Sequence, residues 1–168
     1  MGTSALSSLP DHSFAFIDAN IFIYGISGVS QQCRHFLDRC FNEEVTGIAL
    51  FETVNEATHR FMLAEAHAKG LIRHGSARHL RQNFGVIPQL TDYWRNVQTL
   101  LSLNLVFLPV NETIVVGAQP ERQGAALLTN DSLIVSCMRQ CGVSSLATSD
   151  LDFERVAGIT IFRPTDLP

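Results

Sequence analysis

Asp18 and Asp150 each follow a short apolar run, Phe14-Ala15-Phe16-Ile17 in one case and Val143 to Ala147 in the other. A carboxylate at the C-terminal end of a buried strand lies on the rim where open α/β sheets hold their ligands. Glu56 sits a full turn inside a helical stretch, among Val54, Ala57 and Phe61, where an ionised side chain without a task is costly to bury. Asp131 stands with Asn130 at the start of another helix, Leu133 to Cys141. One such acid could be no more than a helix cap. Four of them, each near a strand end or in the first turns of a helix, all face one rim if the sheet is parallel. Carboxylates gathered there raise one another's pKa unless a cation neutralises them. A hard divalent ion, Mg²⁺ or Mn²⁺, prefers oxygen ligands and keeps waters for chemistry, so the constellation fits metal-assisted attack of water on a phosphodiester. Glu52, one turn before Glu56 on the same face, is the alternative second acid; its first-turn position is that of a residue complementing the helix dipole, and Glu56 is preferred.

The elements that would hold these acids follow from apolar patterning. The stretch Phe14 to Tyr24 reads as a buried strand carrying Asp18, and Ser30 to Phe41 has a helical stripe of Cys33, Phe36, Leu37, Cys40 and Phe41. Val45 to Leu50 reads as a second strand, which makes a right-handed strand–helix–strand unit and hence a parallel sheet. A long helix over Glu52–Ala68 follows, then a break at Gly70, a second helical stretch from Leu71 to Asn83, and an amphipathic helix over Leu90–Leu103. Leu105 to Val110 is a third strand, and Asn111 opens a short helix that Pro120 should stop. Thr148 to Phe153 is a polar turn, and Ile159 to Phe162 is the closing strand. The fold class expected is three-layer α/β/α with a central, mainly parallel twisted sheet.

A chain of 168 residues, 46% hydrophobic and 17% charged, is the size and balance of one globular domain. Residues 1–12 read as a disordered polar leader, without the basic start and apolar core of a signal peptide, ahead of a single domain over 13–168. No apolar run is long enough for a membrane span, and a cytoplasmic location is expected. Cys33, Cys40, Cys137 and Cys141 lack metal-type spacing and are expected to be buried free thiols. A net charge of −4 excludes a protein that coats nucleic acid by bulk electrostatics, though not an enzyme acting on it. The one basic stretch runs from Arg60 to Arg81. There Arg73, Arg78 and Arg81 are candidate RNA or partner contacts, against the plainer alternative of a solvated helical hairpin.

The spacing from Asp18-Ala19-Asn20 through Asn55-Glu56-Ala57 and Thr129-Asn130-Asp131 to Thr148-Ser149-Asp150-Leu151-Asp152-Phe153 resembles the PIN-domain family, and within it the VapC-like toxin ribonucleases. The resemblance spans about Phe14 to Pro164. It implies a metal-dependent endoribonuclease acting on single-stranded or structured RNA, with Asp18, Glu56, Asp131 and Asp150 holding Mg²⁺ or Mn²⁺. It further implies that Asn20 orients Asp18 or a bound water, that Thr148 supports the site by hydrogen bonding, and that Asp152 is an auxiliary acid. A homodimer and a small antitoxin whose tail enters the acidic groove, as in type II toxin–antitoxin pairs, also follow from the resemblance.

Two rivals stand beside this reading. Phosphohydrolases of the HAD type also begin with a strand ending in Asp, but they need a second acid two residues on, where this chain has Asn20, and a late lysine, whereas Lys69 is the only lysine. A catalytically silent module of the same fold, binding RNA or protein, is the more serious alternative, although all four acids are present.

Overall fold

The computed structural model describes residues 2–73 and 75–167. Its strands are β1 (Gly2–Ala5), β2 (Phe14–Ile17), β3 (Thr46–Leu50), β4 (Val106–Leu108), β5 (Ser145–Ala147) and β6 (Thr160–Arg163). They form one six-stranded sheet in the order β1-β6-β5-β2-β3-β4. Every pairing is parallel. The α-helices are α1 (Ala19–Ile26), α2 (Gln31–Phe41), α3 (Phe51–Ala68), α4 (Ala77–Gln82), α5 (Asp92–Leu101), α6 (Glu112–Ala125) and α7 (Thr129–Cys141).

Side chains alternate across the strands, and each set finds its own helical layer. Ala15, Ile17, Ala49, Ala147 and Phe162 point to a core shared with α1, α2, α3 and α5. Their neighbours Phe16, Ile48, Leu50, Leu146 and Ile161 point to a second core built with α6 and α7. Both faces are thus covered, which is why the strands read as continuous apolar runs, and the expected α/β/α architecture is the one observed. The central pair β2 and β5 carries Asp18 and Asp150 just past its C-terminal ends.

Several local expectations differ from the structure. The Phe14 to Tyr24 stretch is a strand only to Ile17; from Ala19 it is helix α1. The switch is made by Asp18, whose extended backbone and side chain cap the helix by accepting from the Ala19 amide at 2.6 Å. Gly25 lets α1 approach α2, since a Cβ there would meet Leu37 Cδ1 at 2.7 Å and the Cys33 backbone at 3.1 Å. The 1–12 leader is not disordered over its described residues: β1 extends the sheet along β6, and Leu6 and Leu9 are buried in the first core. Two buried leucines and a row of ladder bonds outweigh the polar composition that suggested a tail.

Pro120 does not stop α6, which runs to Ala125. Pro120 and Val116 both lie on the exposed face, so the carbonyl freed by the missing N–H meets solvent, while the buried face, Ile114, Ala118 and Ala125, packs without interruption. The Leu71 to Asn83 helix contracts to α4, with a 3₁₀ segment over Phe84–Gln89 behind it; His74, within that expected helix, lies outside the described residues. Cys33, Cys40 and Cys137 are buried free thiols, pushed by burial up to about 11, about 12 and about 12, whereas Cys141 is exposed. Among the described residues no helix is long and apolar enough to cross a membrane.

Candidate active site

Asp18, Glu56, Asp131 and Asp150 line one groove of about 430 Å³, together with Asn20, Ile23, Tyr24, Arg60 and Ser149. Each acid arrives from a different element: the turn between β2 and α1, the second turn of α3, the first turn of α7, and the turn after β5. Parallel pairing makes this possible for Asp18, Glu56 and Asp150, because it brings the ends of β2, β3 and β5 to the same edge of the sheet; α7 follows α6 and leads into β5, and its first turn brings Asp131 to that groove.

Asp18 is 8% exposed and is held by three donors. Its Oδ1 accepts from the Ala19 amide at 2.6 Å, and its Oδ2 accepts from the Thr148 hydroxyl at 2.7 Å and from the Asn20 side-chain amide. A carboxylate has about four acceptor positions, so Oδ1 retains the free one. The helix-cap role and the groove-lining role of Asp18 therefore coexist on Oδ1, which accepts from Ala19 and keeps one position free, while Oδ2 anchors the side chain to Thr148 and Asn20. Asn20 Nδ2 also reaches Thr148 Oγ1 at 3.1 Å, and Asn20 Oδ1 accepts from the Ser149 amide at 3.0 Å. Thr148, wholly buried, accepts in turn from the Asp150 amide at 3.0 Å. The network ties the loop after β2 to the loop after β5 and sets the relative position of Asp18 and Asp150.

Glu56 is fixed from the opposite layer: its Oε2 accepts from Asn130 Nδ2 at 2.8 Å, joining α3 to α7. Glu52 does not line the groove, and its Oε2 is buried without a hydrogen-bond partner among the described residues. Asp152 also stays outside the groove. Its amide donates to Asp150 Oδ1 at 2.8 Å, and its carboxylate pairs with Arg155 at 3.0 Å. Arg73, Arg78 and Arg81 are exposed on the α4 side and line no part of the groove.

The electrostatics are those of an over-acidic site. Burial pushes Asp18 up to about 7, opposed by the Thr148 and Ala19 hydrogen bonds and reinforced by the charges of Asp131 and Glu56. Asp131 is raised to about 6 by burial and then by Asp150, Glu56 and Asp152, with the Leu128 backbone opposing. Among the described residues no three His, Cys, Asp or Glu groups close around a single point as a finished metal cage; the acids line an open groove. An all-oxygen donor set whose members repel one another, with a free lone pair on Asp18, nevertheless has the chemistry that suits a hard divalent cation.

The groove includes residues that spacing alone did not single out as functional. Arg60 lies one helical turn after Glu56, a signal present in the sequence. Asn130 was legible as a helix-start residue but not as the holder of Glu56, and Tyr24 and Ser149 gave no signal, since their place in the groove depends on how distant segments pack.

No family model matches the sequence, and no curated protein does either. Solved structures do. One is a toxin–antitoxin complex from Klebsiella pneumoniae, matched with a TM-score of 0.56 at 17% identity over 86% of this chain and 94% of that one. Another is VapBC2 from Rickettsia felis bound to a DNA fragment from their promoter, with a TM-score of 0.55 at 15% identity over 89% of this chain and 98% of that one. The chain shares its fold with proteins of these complexes. At such identities the likeness is one of fold, and it extends over nearly the full length on both sides.

Proposed function

We propose that the protein is a divalent-metal-dependent endoribonuclease of the PIN-domain type and the toxin of a type II toxin–antitoxin pair. The observation that carries this reading is the convergence of Asp18, Glu56, Asp131 and Asp150, from four elements, on one groove at the C-terminal rim of a parallel sheet. The fold likeness to toxin–antitoxin complexes supports the biological setting.

In this reading the four carboxylates hold Mg²⁺ or Mn²⁺, which when bound supplies an activated water and charge neutralisation at the phosphoryl oxygens. The chain's own contribution is preorganisation. Thr148 and Asn20 hold Asp18 in one rotamer with one lone pair of Oδ1 left free, and Asn130 fixes Glu56 in the same way. Arg60, beside the acids in the groove, is suited to pair with a substrate phosphate oxygen or with an acidic group of a partner. Burial of Asp18 and Thr148 keeps bulk water from competing for the hydrogen bonds that orient the site. The partners in this reading are single-stranded or structured RNA, a second copy of the chain as a homodimer, and a small antitoxin whose cationic segment would neutralise the acidic groove; the compartment is the cytoplasm.

The test is cleavage of RNA by purified protein stripped with a chelator. No cutting is expected until Mg²⁺ or Mn²⁺ is returned. Equal cutting in chelator would refute the metal-dependent mechanism.

A further inference from the structure

Tyr24 and Ser149 do not face the acidic groove alone. The same two residues line a second, larger cavity of about 640 Å³, which continues over the β1–β6 edge and is bounded by Thr3, Arg163, Pro164 and Thr165. The charge changes sign along this path. The first cavity has four acids, whereas Arg163 is the sole charged residue among those lining the second.

Arg163 lies opposite Ala5 in the β1–β6 register. Its Nε is buried with no hydrogen-bond partner among the described residues, and its nearest carboxylate, Glu154, is a distant 4.0 Å from Nη1. The partly exposed Nη groups, with Glu154 only at the limit of ion-pair distance, retain donors for an incoming anion. The segment that follows Arg163 is held by side-chain hydrogen bonds to the start of α2. The Thr165 amide donates to Gln32 Oε1 at 2.9 Å, Gln32 Nε2 donates to Thr165 Oγ1 at 2.8 Å, and Ser30 Oγ donates to Asp166 Oδ1 at 2.6 Å. The segment after β6 is therefore strapped to the start of α2, and the Asp166 charge is taken up there and not in the cavity.

We propose that this second cavity is a subsite for the single-stranded RNA flanking the cut. Arg163 takes a backbone phosphate on one side of the scissile bond, and the Tyr24 ring supports a base where the two cavities join. The inference rests on the endoribonuclease reading and adds the direction in which the substrate leaves the acidic groove. A polyanionic strand needs a cation at each phosphate it brings close to the protein. In the acidic groove the divalent ion fills that need, and beyond Tyr24 a forked guanidinium does. Aromatic support with basic contacts is how single strands are held without a duplex, and the volume lies within the range of small-ligand pockets.

The experiment uses the full chain with Mg²⁺ and nested single-stranded RNAs sharing one cut site, extended to different lengths on either side. KM and kcat are measured for each at several salt concentrations. The parent protein should favour, by about tenfold in KM, RNAs extended on one particular side. Arg163→Gln should collapse that length discrimination toward one and reduce the salt slope of KM by about 0.7, the loss expected for one single-strand phosphate contact. Arg163→Lys should restore part of it, and Tyr24→Leu should reduce the discrimination without changing the salt slope. If Arg163→Gln does not fold, Arg163→Met, which also removes the charge, and Tyr24→Leu carry the same comparison. Cleavage by the parent without length discrimination, or with discrimination that the variants keep, would overturn the subsite and leave the nuclease reading intact. No cleavage of any RNA by the metal-loaded parent would overturn both.

Discussion

Glu65→Gln should destabilise the fold at neutral pH and do so far less in acid. Thr91, at the start of α5, caps it with no side-chain bond, and Glu65 of α3 supplies the acceptors instead. Its Oε1 accepts from the Thr91 amide and its Oε2 from the Tyr93 amide, both at 2.7 Å, and Lys69 pairs with Oε1. Burial alone would raise the Glu65 pKa, but the Lys69 bond and the Tyr93 and Thr91 amides outweigh it and bring the group from 4.5 to about 2. A folded-state pKa held below the unfolded value gives stability that is fully present above the unfolded pKa and lost as pH falls through the folded one. Two and a half pKa units correspond to roughly 3 kcal/mol. Because Lys69 is partly solvated, about 2 kcal/mol is the working figure. Glutamine leaves one acceptor for two backbone donors and turns an NH₂ toward one of them, so most of that figure should be lost. Urea unfolding of parent and variant at pH 7 and pH 3 measures it: about 2 kcal/mol difference at pH 7, and less than half of that at pH 3. Equal differences at the two pH values, or none at pH 7, would refute the tertiary cap.

Other outcomes follow from the site. Asp18→Asn should abolish cleavage and, in chelator, stabilise the fold at pH 8 relative to parent by about 1–2 kcal/mol, with the gain vanishing near pH 5. The raised pKa means that ionising Asp18 costs the native state more as pH climbs from the unfolded value of 3.8 to about 7, levelling off above it, and the lost acceptor takes back part of the relief; thermal melts across this range check it. Thr148→Val keeps shape but removes the hydroxyl that Asp18 accepts from and Asp150 donates to, and should lower cleavage or metal affinity by about 10–100-fold, read from rates at varied Mg²⁺. Replacing Arg73, Arg78 and Arg81 together by Ala should weaken RNA or antitoxin binding and lower the salt slope for single-stranded RNA by about 2, if the α4 side is a phosphate-contacting arm. An unchanged salt series would return that face to solvent.

The sheet was legible in the sequence wherever an apolar run meets a turn: β2 through β5 fall within expected strands and β6 runs one residue past its expected end, because strands buried on both faces leave a dense signal. Three elements were hidden by physics that spacing does not carry. Helix α1 carries Ile21, Phe22 and Ile23, residues that favour strands, and becomes helical because Asp18 caps it and Gly25 allows contact with α2. Strand β1 is polar and short, and only its pairing with β6 and the burial of Leu6 and Leu9 behind it reveal it. Helix α6 survives Pro120 because the break faces solvent. At the site, the four acids were readable from their positions at element ends. The bonds that aim them, Thr148 to Asp18 and Asn130 to Glu56, link residues far apart in the chain and depend on the finished packing.

The proposed ribonuclease activity rests on joint binding of one divalent ion by these four carboxylates. It is tested most directly by the rate of RNA cleavage as a function of Mn²⁺ concentration for the parent and for Glu56→Gln, Asp131→Asn and Asp150→Asn. No cleavage is expected without metal, a saturable rise for the parent, and for each variant either no activity or saturation only at much higher Mn²⁺. Cleavage that ignores Mn²⁺, or variants that saturate as the parent does, would contradict it.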